Sequence, residues 1–122
     1  MSKPLIVMML ILVANIDILA VAKEVVVDQT VDERAVYIDV RTWVEYQVDH
    51  IEGDIRIHVS DIVSEVEMRF PNKGTPIKLY CERGVRAETA RQKLIGAGYL
   101  NVMNAGGIDE VRATRSNRLV EN

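Results

Sequence analysis

This chain contains one cysteine, and it stands in a segment suited to chemistry, Tyr80-Cys81-Glu82-Arg83-Gly84-Val85-Arg86. A strand pattern, Ile77-Lys78-Leu79-Tyr80, runs directly into it, and a helical stripe of Ala87, Ala90, Leu94 and Ala97 follows. Gly84 lets the backbone turn through conformations that other residues avoid. Successive N–H groups in such a loop can point inward as an anion-binding nest, and the following helix turns its positive end to the same spot. Arg83 and Arg86 add formal charge. A thiol there is expected to have a lowered pKa and to attack as the thiolate. The competing reading is a small buried hydrophobe at the end of a core strand, the commoner fate of a lone cysteine. The Cys-x-x-Gly-x-Arg pattern between strand and helix favours the nucleophile.

Spacing narrows the reaction. Cysteine phosphatases and arsenate reductases resemble Cys-x5-Arg, a loop with room for a tetrahedral oxyanion. Here the arginine falls five positions after Cys81, and the sixth position is Ala87. The shorter loop suits a single sulfur atom. A lone cysteine allows no internal disulfide and no cysteine-rich zinc site, and His50 with His58 makes a poor ligand set, so neither metal nor cofactor is called for. His50 is read as supporting the loop region or ending a short helix. Asp39 and Arg41, at a strand's carboxyl end, are candidates for lining the cleft and equally for a structural ion pair. Trp43 and Tyr46 read as core packing. Arg112, Arg115 and Arg118 form a basic stripe that reads as a solvated tail.

The elements that position these residues alternate. Val36-Tyr37-Ile38-Asp39-Val40 is apolar at almost every position, as a strand buried on both faces is. Val25-Val26-Val27 is a shorter edge candidate. Thr42 and Glu45 form a capping box for a short helix to about Val48. Ile55-Arg56-Ile57-His58-Val59 reads as a strand, and Ser60 as the cap of a helix with Ile62, Val63, Val66 and Phe70 on one face. Asn101-Val102-Met103 is a last strand, and from about Arg112 the chain reads as loosely packed. Strand–helix alternation predicts an α/β fold, with a central mostly parallel sheet and helices on both faces. Ligands in such folds sit beyond the carboxyl ends of the strands, where Cys81 falls.

The whole chain has 122 residues, one domain's worth. Its 48% hydrophobic and 27% charged residues exclude an intrinsically disordered chain, and a net charge of −3 speaks against a nucleic-acid partner. Residues 5–14 are an unbroken apolar run with Lys3 before it and Asp17 after it. As a helix this run would rise ~15 Å, about half a bilayer's hydrocarbon core. With Ala20-Val21-Ala22 as a small-residue cleavage pattern, residues 1–22 read as a secretory signal peptide and 23–122 as one mature domain. The expected location is the periplasm, without stable membrane insertion after cleavage; the alternative is an uncleaved membrane anchor over residues 4–22, against which Asp17 counts, a carboxylate being costly in lipid.

Four motifs in order carry a resemblance. Asp39-Val40-Arg41 with Glu45-Tyr46, His50-Ile51-Glu52-Gly53, Cys81-x-x-Gly84-x-Arg86, and Gly98-Tyr99 with Asn104-Ala105-Gly106-Gly107 look like the sequence elements of the single-domain rhodaneses, thiosulfate sulfurtransferases. The likeness runs from about Val36 to Ile108, and with the leader it is greatest to the small periplasmic members. It implies the rhodanese fold and a catalytic Cys81 that carries sulfur as a persulfide. Backbone amides of Glu82, Arg83, Gly84, Val85 and Arg86 would hold the outer sulfur, and Arg86 would help bind an anionic donor. The implied partners are a thiosulfate-like donor and a thiophilic acceptor such as cyanide; the alternative is a non-catalytic or persulfide-carrier module that passes sulfur to, or binds, a protein partner. Ala87 stands where the family often has Ser or Thr, and Glu82 sets a negative charge beside the nucleophile.

Overall fold

A strand with neighbours on both sides and helices on both faces must be apolar at nearly every position, and the two central strands of this protein meet that demand. The computed structural model describes residues 34–121. The apolar run 5–14, the Ala20-Val21-Ala22 pattern and the Val25–Val27 candidate strand lie outside the described residues. Strands β1 (Val36–Asp39), β2 (Ile55–Arg56), β3 (Ile77–Cys81) and β4 (Val102–Gly107) form one sheet in the order β2-β1-β3-β4. Every pairing is parallel. The carboxyl ends of all the strands therefore lie along one rim, where Asp39, Cys81 and Gly107 end their strands.

Side chains alternate across the sheet and split the core in two. Ile38, Ile77, Leu79 and Cys81 pack with Ile62 and Val66 of α2 (Ile62–Arg69) and with Ala87, Ala90 and Leu94 of α3 (Val85–Gly96). On the other face Tyr80 packs with Ile108 and Val111 of α4 (Ile108–Glu121). The sheet is covered on both sides, as the alternation predicts. The short helix α1 (Trp43–Val48) starts at the expected capping box, with Thr42 accepting from the Glu45 amide and Glu45 accepting from the Thr42 amide.

Several local expectations are corrected. β2 stops at Arg56 instead of Val59, because β1 offers it partners only at Ile38 and Asp39. Beyond it, Val59–Asp61 form a 3₁₀ turn capped by His58, whose Nδ1 accepts from the Ser60 amide, so Ser60 is not the cap. β4 runs on to Gly107 and takes in the Asn104–Gly107 motif. Trp43 is 60% exposed instead of core. Its helix has six residues and no buried one, too short to lay an apolar stripe on the sheet. Tyr46 is half-buried and stacks on His50, with ring centroids 4.2 Å apart.

The largest correction is the C-terminus. It is a helix to Glu121, and its arginine stripe is half-buried and paired with groups of the preceding chain. Arg112 pairs with Asp49, Arg115 with Asp54, and Arg118 donates to the Tyr37 hydroxyl. Spacing of three and four on a helix puts such residues on one face, which is why the stripe works as a seam.

Candidate active site

Cys81 ends the central strand β3, directly opposite Gly107 of β4, with a register irregularity between Leu79 and Cys81. Its side chain is 1% exposed and its sulfur lies in the first core layer. Loop residues 82–84 carry the chain into α3. Gly84 takes a left-handed φ of 95° and is the N-cap, and its N–H donates to Cys81 Sγ at 3.0 Å. The first intrahelical bond runs from the Glu88 N–H to the Gly84 carbonyl at 3.1 Å. The N–H groups of Val85, Arg86 and Ala87 precede it, so the helix itself gives them no acceptor. A sulfur at the positive end of a twelve-residue helix, with one amide already on it, occupies a place that favours negative charge.

The loop keeps its shape because its neighbours are backbone and glycine. A Cβ at Gly107 would stand 2.5 Å from the Glu82 carbonyl oxygen, and one at Gly84 3.2 Å from Gly106 Cα. Asn104 joins these pieces. Its Nδ2 donates to the Gly84 carbonyl at 2.9 Å, and its Oδ1 accepts from the Gly106 amide at 2.9 Å. The Asn104-Ala105-Gly106-Gly107 motif thus braces the cysteine loop.

Charged side chains around the loop are paired in a definite order. Asp39 and Arg41 are both buried and form an ion pair, with Arg41 Nε and Nη2 on the Asp39 carboxylate at 2.9–3.1 Å. They reach the loop only through Arg41 Nη1, 3.3 Å from Glu82 Oε2. Arg86 donates to both oxygens of Glu45, at 2.7 and 2.8 Å. The Arg86 guanidinium holds the Glu45 carboxyl down at about 2. That contact was invisible to spacing, since the two residues are 41 positions apart. Arg83 is exposed on the loop, beside a depression of about 680 Å³ that Gly84, Val85, Glu88 and Asn104 also line. His50 sits just past α1 with Nδ1 donating to the Tyr46 carbonyl at 3.0 Å. Among the described residues no cluster of His, Cys, Asp and Glu could hold a metal ion.

Residues 23–114 match the rhodanese-like domain. The chain is 33% identical over 75 residues to the thiosulfate sulfurtransferase PspE of Escherichia coli, across 62% of this chain and 72% of that one. A solved rhodanese with anions from E. coli aligns with a TM-score of 0.59 at 33% identity, across 62% of this chain and 89% of that one. The tRNA uridine(34) hydroxylase of Hamiltonella defensa is 33% identical over 95 residues, but this chain spans only 26% of that protein's length.

Proposed function

The chain belongs to the rhodanese-like domain family, and from that premise we propose that it is a sulfurtransferase in which Cys81 carries sulfane sulfur as a persulfide. The donor is thiosulfate or a molecule like it, and the acceptor is thiophilic, with cyanide as the test case. The observation that carries this reading is the Gly84 N–H on Cys81 Sγ at the head of α3.

The chemistry follows from that placement. The Cys81 thiolate attacks the terminal sulfur of thiosulfate, the S–S bond of the donor breaks, and sulfite leaves with the electron pair. The outer sulfur of the new persulfide carries negative charge. The backbone amides of residues 82–86 and the helix end stabilise it as an oxyanion hole stabilises oxygen. Cyanide then attacks that outer sulfur, thiocyanate departs, and the Cys81 thiolate returns. No general base is needed, because no proton is moved in either step.

A mass spectrum tests this directly. Protein exposed to thiosulfate alone should gain one sulfur atom at Cys81 and release sulfite, and cyanide should then remove that sulfur. Cys81→Ser should show neither gain nor turnover. Turnover in that variant, or double-reciprocal plots that intersect instead of running parallel, would overturn the reading. Transfer to protein thiols in place of cyanide would identify a persulfide carrier.

The same proposal includes export, with residues 1–22 as a cleaved leader and a periplasmic domain from Lys23. Among the described residues no helix is long and apolar enough to cross a membrane. Mature protein from the periplasm should begin at Lys23, and intact Met1 in a membrane fraction would mean an anchor instead.

A further inference from the structure

The peptide that joins Gly84 to Val85 stands at the start of α3, beside the Cys81 sulfur. Gly84 places its own N–H on Cys81 Sγ at 3.0 Å. Its carbonyl accepts from the Glu88 N–H at 3.1 Å and so points along the helix. A trans peptide sets C=O and N–H in opposite directions, and no cis peptide occurs among the described residues. The Val85 N–H therefore points out of the helix start, the end at which the sulfur lies.

Packing does little to hold this peptide. Val85 is 75% exposed, and Gly84 and Val85 border an open depression of about 680 Å³. The side chain that holds the peptide from outside α3 is Asn104. Its Nδ2 donates to the Gly84 carbonyl at 2.9 Å, with Glu88 Oε2 beside it at 3.4 Å. Its Oδ1 accepts from the Gly106 amide at 2.9 Å. Acceptors face one end of the Asn104 amide and a donor faces the other, so the side chain has one orientation. Its backbone is placed as firmly. Asn104 lies opposite Leu79 and Gly107 opposite Cys81, so β4 carries one residue more than β3 over that span. Such a bulge bends its strand and re-aims a side chain, and the Asn104–Gly106 bond closes it.

Resting on the sulfur-transfer reading, we propose that Asn104 is a positioning residue for sulfur transfer, holding the Gly84 carbonyl so that the Val85 N–H, with that of Gly84, is aimed at the charged sulfur. Asn104 acts through the Gly84 carbonyl and takes no part in the bonds made and broken. The loading step feels it most, because there the outer sulfur keeps the negative charge that the amides stabilise.

The test follows sulfur gain and sulfite release over a range of thiosulfate concentrations, with thermal melts on every variant. Asn104→Ala should lower the saturating loading rate about tenfold and leave the half-saturating thiosulfate concentration unchanged. That is less than the ~10²–10³ lost when an oxyanion-hole donor is removed outright, because the amides stay and only their aim loosens. Asn104→Asp separates the two ends of the side chain. It keeps an acceptor for the Gly106 amide, and with it the bulge, but sets a carboxylate oxygen against the Gly84 carbonyl. Its saturating rate should fall at least as far as that of Asn104→Ala, and it decides alone if Asn104→Ala does not fold. Tyr99→Phe, which removes a hydrogen bond to the Phe70 carbonyl outside the loop, should lose stability yet load at the wild-type rate. The proposal is overturned if Asn104→Asp loads at the wild-type saturating rate, if Asn104→Ala alters only half-saturation, or if Tyr99→Phe slows loading as much as Asn104→Ala. A wild-type protein that gains no sulfur would instead overturn the sulfur-transfer reading, and this proposal with it.

Discussion

Two residues beside Cys81 constrain the loop in different ways, Gly107 by shape and Glu82 by charge. Alanine at Gly107 would drive a methyl group into the Glu82 carbonyl, a backbone atom that cannot swing aside. Gly107→Ala should therefore cost about 1–3 kcal/mol in a denaturant melt and lower kcat by shifting the loop. Wild-type stability in that variant would mean the loop yields freely. Glu82→Gln removes a negative charge next to the nucleophile but leaves Arg41 on Asp39 and on the Asp49 carbonyl. Its KM for thiosulfate should fall, and the effect should shrink at high salt, because the Glu82 side chain is half-exposed and open to screening. An unchanged KM would show that Arg41 already cancels that charge.

Among the elements, α4 has a role that its composition hides. Asp54, nearly buried, accepts from the Tyr80 hydroxyl at 2.7 Å and pairs with Arg115 at 2.9 Å. Burial and the Asp54 carboxylate together push the Tyr80 phenol above its ordinary value, so the hydroxyl stays a donor. Tyr80 immediately precedes Cys81, and this network ties the back of β3 to α4. Removing Arg115 leaves a buried carboxylate without its cation, so Arg115→Ala should cost about 1–3 kcal/mol. Arg69→Ala, which breaks an exposed i,i+4 pair with Glu65, should cost no more than about 0.5 kcal/mol. Equal losses at the two sites would mean that the seam is as solvated as an ordinary surface pair.

Across the whole molecule, acid should act on the contact that joins α1 to α3. Glu45 has its carboxyl lowered to about 2 by Arg86, against an ordinary 4.5. A carboxylate lowered in the folded state binds fewer protons there than in the unfolded chain. Its stabilising contribution is therefore complete above about 4.5, and it is lost as pH falls through that value toward 2. Asp49 is also lowered, by Arg112, and adds a loss of the same sign. The thermal midpoint should fall across this window, and it should fall less steeply in Glu45→Gln. Identical acid profiles for the variant and wild type would remove Glu45 from the account.

The central strands, the capping box at Thr42 and the strand–loop–helix setting of Cys81 were legible in the sequence because each depends on local periodicity or a fixed short spacing. Helices on both faces of a parallel sheet followed from alternation alone. The destination of long charged side chains was not legible in the same way. Arg86 reads as a free loop cation until the fold brings Glu45 against it, and the α4 arginines read as solvated until Asp49, Asp54 and Tyr37 are placed opposite them. A carboxylate tens of residues away leaves no periodic trace, and an ion pair needs only that both ends arrive. The position of Trp43 failed for a related reason: a six-residue helix has too little length to hold an aromatic side chain against a sheet. Local pattern determined where the nucleophile stands, while tertiary contact decided which charges face it, because Coulomb attraction depends on distance in space and not on distance along the chain.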